Sequence, residues 1–148
     1  MNIARKIIQS VADATALKCY YGTRESINEQ VSRGGLPCAF FALLAESNLQ
    51  EGAGTISETY TLTMSFASLT EFDFESVENE DIIEQCRLDA FNWLAYIRAG
   101  MADFVAGDVV GSGRLYEEFD DIVTGYYLMI RITTLPQCLP MAYYNAYE

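Results

Sequence analysis

The chain has 148 residues, a length that fits one domain, and 51% of it is apolar and 13% aromatic, so it can build a core and is not a disordered polymer. Its formal charge is −12, from 9 Lys and Arg against 21 Asp and Glu, and this points away from nucleic-acid grip, which needs clustered positive charge. It contains no histidine, which excludes Ser-His-Asp and Cys-His machinery, and no apolar run long enough for a membrane-spanning helix.

The first residues carry Arg5 and Lys6 but no long apolar centre. They read as a helix rather than an export signal, so synthesis and folding in a cytoplasm is the expectation. Ile3, Ile7, Val11 and Ala14, with Ile8 beside them, predict an amphipathic helix over 2–18. Residues 19–35 are polar, with glycines at 22, 34 and 35, and read as a connection with room for a short strand. The apolar run Pro37–Glu46 fits a strand better than a helix, because a proline starts it and a glycine pair bounds it. Gln50–Gly54 reads as a turn.

Thr55–Ala67 is the clearest strand. Ile56, Tyr60, Leu62, Met64 and Phe66 share one face with Glu58, while Ser57, Thr59, Thr61, Thr63 and Ser65 share the other. Period-two alternation with β-branched and aromatic residues marks a half-buried strand. At ~3.3 Å per residue it reaches about 40 Å, long beside the usual ~5–6 residues. With the preceding run it forms an extended antiparallel hairpin over about Ala39–Ala67.

Residues 68–78 read as an acidic loop carrying Phe72 and Phe74. A helix follows, capped by Asn79, with Glu80, Asp81 and Glu84 where the helix dipole favours anions. Ile83, Cys86, Ala90, Trp93, Leu94 and Ile97 form its apolar stripe, widened by Leu88, Phe91 and Ala95, and Arg98 and Gly100 mark its end. So wide an apolar face is expected to pack across a sheet. Phe104–Val110 and Arg114–Glu118 read as two strands around a Gly111-Ser112-Gly113 turn, and Ile122–Thr133 as a strand with Gly125 as a bulge. The sum is an α+β domain over 1–135, a mainly antiparallel sheet with a long hairpin packed by two helices, then a C-terminal aromatic arm at 136–148.

Little in the chain reads as catalytic. Cys19, Cys38, Cys86 and Cys138 are far apart and form no CxxC pair, so small buried reduced side chains are the expectation and a zinc site is not. Lys18 lies directly beside Cys19, but this pairing is not expected to make an activated thiolate. Gly111-Ser112-Gly113 lacks the spacing of a phosphate loop. The acids at 117, 118, 120 and 121 have no EF-hand spacing and read as solvated loop charges. No catalytic residue, cofactor or metal is therefore expected. Charge is uneven: from Gly34 to Cys86 there is no Lys or Arg and ten acids, while five of the nine basic residues lie in the first 33 positions.

The series of an N-terminal helix, the strand LPCAFFALLAES, a glycine turn, ETYTLTMSF, the helix NEDIIEQCRLDAFNWLAYI and a closing YYLMIRITT resembles the tail-completion and tail-terminator proteins of tailed bacteriophages. The resemblance spans about Asn2–Leu135 and rests on element order and texture. It implies a virion protein of the neck or tail, assembled in the host cytoplasm and non-enzymatic. It implies rings of six or twelve subunits that leave a channel for DNA without sequence-specific binding, and contacts to portal, adaptor or tube proteins, with no membrane. By position it implies subunit or partner contacts at Glu58 and Tyr60 on the hairpin, at Glu71, Asp73 and Glu75 on the acidic loop, and at Tyr143, Tyr144 and Tyr147 on the arm. The glycine-rich stretch Ala106–Glu118 is longer than the resemblance leads one to expect. The competing expectation is an acidic adaptor or inhibitor that binds a basic protein partner.

Overall fold

The computed structural model of the chain describes residues 1–70, 77–119 and 121–140. Three helices, α1 (Ile3–Thr15), α2 (Arg24–Gly34) and α3 (Val77–Arg98), accompany seven strands among the described residues. These are β1 (Lys18–Gly22), β2 (Cys38–Ala42), β3 (Asn48–Gly52), β4 (Thr55–Leu69), β5 (Phe104–Glu118), β6 (Ile122–Thr134) and β7 (Gln137–Cys138). They form one sheet in the order β1-β2-β4-β6-β5, with β3 and β7 added to the start of β4. Only β1 and β2 run parallel. The fold is α+β with a mainly antiparallel sheet, as the sequence predicts.

α1 starts where the Asn2 side chain accepts from the Arg5 N–H, at 2.9 Å, and stops where Ala16 turns left-handed at φ 60°. α1 and α3 lie on one face of the sheet. There Ile7, Val11, Trp93 and Ile97 pack on Phe41, Leu62, Met64, Phe66 and Ile130. Each such side chain contributes ~1.5–3 kcal/mol on burial. Trp93 is fully buried, and its indole N–H donates to Ser10 Oγ at 2.9 Å, while that hydroxyl donates to the Ile7 carbonyl at 2.6 Å. The two helices are thus joined by a fully satisfied polar pair within an apolar layer.

The third helix corrects the two-helix expectation. Residues 24–34 are helical, not a connection. Thr23 caps them by accepting from the Ser26 N–H, Arg33 closes the last turn, and Gly35 stops them at φ 83°. α2 covers the opposite face of the sheet at the far end of β4, where Ile27 and Val31 meet Tyr20, Cys38, Phe40, Ala67 and Val123. Ser65 and Ala67 are therefore buried, although they belong to the face expected to be open. Toward the start of β4 that face is bare, and Thr61 and Thr63 are exposed.

Four local expectations are corrected. Gly111-Ser112-Gly113 is not a turn: β5 runs unbroken for 15 residues, with irregularities between Ala106 and Gly111 instead. Gly125 is not a bulge. It pairs in register between Ala67 and Leu115, and a side chain there would run into the Phe66 carbonyl. Asn79 is not the cap of α3, because the helix has already begun at Val77 and Asn79 is fully buried in its first turn. Gln50–Gly52 belong to β3, so the turn shrinks to the two residues between Gly52 and Thr55.

Candidate functional site

β4, β6 and β5 form a ribbon whose strands are 15, 13 and 15 residues long. At ~3.3 Å per residue this approaches 50 Å. One end is sandwiched between helices. The other continues as a tip made by β3 on one side of β4 and β7 on the other. Every residue of β3 is exposed, Leu49 at 61%. β7 carries the chain beyond Leu135 onto the sheet: Gln137 and Cys138 pair with Ile56 and Thr55, and the Leu139 N–H donates to the Gly54 carbonyl at 2.9 Å.

β2 and β3 are two pieces of one hairpin arm with a break between them. β2 pairs Phe40 with Ser65, and β3 pairs Asn48 with Thr59, so seven residues face five across the gap. The excess is taken up by segment 43–47, which leaves the ladder. β4 residues 60–64 are consequently paired with β6 alone. The resulting open groove, of about 710 Å³, is lined by residues 43–48 with Thr59 and Thr61.

Glu58 and Tyr60 come together at this break. The Glu58 carboxylate accepts from Ser47 Oγ at 2.8 Å and from the Tyr60 hydroxyl at 3.1 Å, and the Glu58 N–H donates to Thr134 Oγ1 at 2.9 Å. Burial, then the hydrogen bond and charge of Glu58, raise the Tyr60 phenol above its ordinary range. Through Ser47, Glu58 fastens segment 43–47 to β4, and both Glu58 and Tyr60 stay half-exposed. Glu71, Asp73, Glu75, Tyr143, Tyr144 and Tyr147 lie outside the described residues.

The thiols divide. Burial pushes Cys38 and Cys86 up to about 12 and raises Cys19 as well, so all three hold their protons more firmly than an exposed thiol. Cys138 corrects the all-buried expectation, since it is exposed on β7. Among the described residues no group of three His, Cys, Asp or Glu side chains could hold a metal ion. No helix among them is long and apolar enough to cross a membrane.

The α3–β5 flank is a surface that sequence reasoning did not find. α3 runs beside β5 in the opposite direction. Glu80 meets Arg114 at 2.5 Å near one end, and Arg98 donates to the Ala106 carbonyl at 3.4 Å near the other. The intervals agree, because 18 helical residues and 8 strand residues both span about 26–27 Å. Between these ties Arg87 lies over the Phe91 ring, and Phe91 meets Tyr126 edge-on, with centroids 6.1 Å apart. Leu88 and Phe91 belong by spacing to the wide apolar stripe of α3, yet both are exposed, at 45% and 38%. β5 is the end of the sheet path and has no strand on its outer side among the described residues. Its glycines have a use: side chains at Gly111 and Gly113 would press on Met129 and on the Tyr127 ring.

Comparison of the chain with models of known protein families finds no match, and comparison with curated protein sequences finds none either.

Proposed function

We propose that the chain is a non-enzymatic structural subunit of a tailed-bacteriophage neck or tail, a tail-completion or tail-terminator protein that assembles into rings around a channel for DNA. The observation that carries this reading is the ribbon. Its 15-residue strands extend past the helix-covered core into a bare tip, so much of the chain builds surface rather than enclosing a pocket. Long strands with an open edge and an unsheathed face offer area for neighbouring subunits. The bare face supports a DNA-passing role, because Thr61, Thr63 and Met129 are exposed there with Arg131 as the basic member, and such a face does not trap phosphates.

Native mass measurement with negative-stain imaging of the purified chain tests the reading. Closed rings of six or twelve are the expected result. Monomers that also fail to join rings of the neighbouring neck or tail proteins would overturn it.

One observation favours a second reading. Residues 77–119, which comprise α3, β5 and the turn between them, bear nine acids against three basic residues, an acidic flank fit for a basic protein partner. An adaptor of this kind is monomeric alone, and its binding weakens steeply with added salt.

A further inference from the structure

We infer that copies of this chain associate head to tail, the α3–β5 flank of one docking against the α1–β1–α2 flank of the next. The inference rests on the ring reading for closure only; the choice of flanks comes from the following observations.

β5 and β1 are the two ends of the sheet path. Exposed apolar side chains concentrate at the β5 end. Leu88 and Phe91 of α3 are joined by Val105, Val109, Val110 and Tyr116 of β5, all at least 38% exposed. The ties at Glu80–Arg114 and Arg98–Ala106 set Leu88 and Phe91 level with Val109 and Val110 along the flank. An apolar strip beside an open strand edge is a surface that a partner covers.

Charge selects the partner's surface. Residues 77–119 hold nine acids and three basic residues, whereas residues 1–35 hold five basic residues and three acids. Of these basic residues, Arg24 reaches across to Glu117 of β5 and Arg33 pairs with Glu29, while Arg5 and Lys18 are presented outward at the β1 end. Arg5, Lys18 and Arg33 are exposed, and Lys18 donates to the Gly34 carbonyl at 3.2 Å, which brings it beside Arg33 at the end of α2. Arg5 and Lys18 form no ion pair among the described residues. Two α3–β5 flanks facing each other would bring acid against acid. The irregular pairing between Ala106 and Gly111 also bends the edge that two copies would have to share. Opposite charge on opposite ends of one sheet instead specifies a heterologous contact, which repeats until it closes or runs on as a filament.

The test uses the full chain and two double variants at exposed positions: Leu88→Glu with Val110→Glu on one flank, and Lys18→Glu with Arg33→Glu on the other. Sedimentation velocity over about a hundredfold concentration range reads assembly. Each variant alone is expected to raise the half-assembly concentration by about tenfold or more. An equimolar mixture of the two is expected to form dimers and stop there, since each pair contains one intact contact. The dimer also proves that both variants are folded.

Assembly of the Lys18, Arg33 variant at wild-type concentration would overturn the inference in favour of flank-to-like-flank pairing. Wild-type rings that neither variant disturbs would overturn it and leave the ring reading standing. Open chains blocked by both variants would support it and remove the ring reading. A wild-type chain that stays monomeric throughout would overturn it.

Discussion

The covered half of the sheet and the bare ribbon are stabilised in different ways. In the covered half, β4 is pressed between α1 and α3 on one face and α2 on the other, so Phe66 and Ala67 are both buried although they point in opposite directions. At the tip the same strand has exposed or half-exposed neighbours and is held by ladder bonds and short polar links. Thr59 and Thr133 share a hydroxyl contact of 2.9 Å, and Glu58 gathers Ser47 and Tyr60. One strand thus passes from a regime where lost volume is costly to one where a side chain is worth a few tenths of a kcal/mol. Substitutions along the molecule should fall in that order.

The largest effect is expected at Trp93. Trp93→Ala removes the largest fully buried side chain among the described residues and the hydrogen bond that Ser10 Oγ accepts, and should cost about 3–5 kcal/mol in urea unfolding. A loss below about 1 kcal/mol would mean that α1 and α3 do not hold the core together. Next is Gly125→Ala. The added methyl meets backbone rather than a yielding side chain, so the cost should reach about 3 kcal/mol, the upper end for overpacking. If β6 can shift away from Phe66, the midpoint will barely move.

Alkaline pH separates the halves in another way. Burial, aided by Cys86 beside Cys38 and by Asp89 beside Cys86, lifts both thiols from 9.0 to about 12. The folded chain then keeps protons that the unfolded chain has already released. This contribution is complete below about pH 9 and is lost as pH rises toward 12. The urea midpoint should fall between pH 8 and 11, and fall less in the Cys38→Ala, Cys86→Ala double variant. Equal slopes would show that these thiols are not the titrating groups. The smallest effect belongs to the tip, where Leu49→Ser should change stability by no more than about 0.5 kcal/mol. A larger loss in the isolated subunit would mean that β3 packs on something within its own chain.

How much of this was legible depended on whether the signal was local. The alternation of Thr55–Ala67 and the stripe Ile83–Ile97 announce a strand and a helix by period alone, and both are there. α2 is hidden because only Ile27 and Val31 of its residues are buried, too few for a stripe, although Thr23 is a readable start and Gly35 a readable stop. Gly-Ser-Gly misled because those glycines answer to Tyr127 and Met129 on the next strand, which no local rule contains. The candidate site was the least legible part. The α3–β5 flank depends on Glu80 meeting Arg114 across 34 positions, and Leu88 and Phe91 looked like core until the sheet's edge was located. Glu58 and Tyr60 share one face of β4, as the alternation predicts, and their hydrogen bond within the subunit depends on that face.

The two surplus residues between β2 and β3 give the tip a separable reach. A shift of two keeps every side chain on its own face, so the arm's in-and-out pattern survives the offset and the core need not be rethreaded when the arm changes. Adding one residue pair to β3 and another to β4 would push the tip outward by about 6–7 Å while leaving Phe40 opposite Ser65. Arm length is therefore a dial that this architecture can turn independently of its folding, in steps fixed by the pleat.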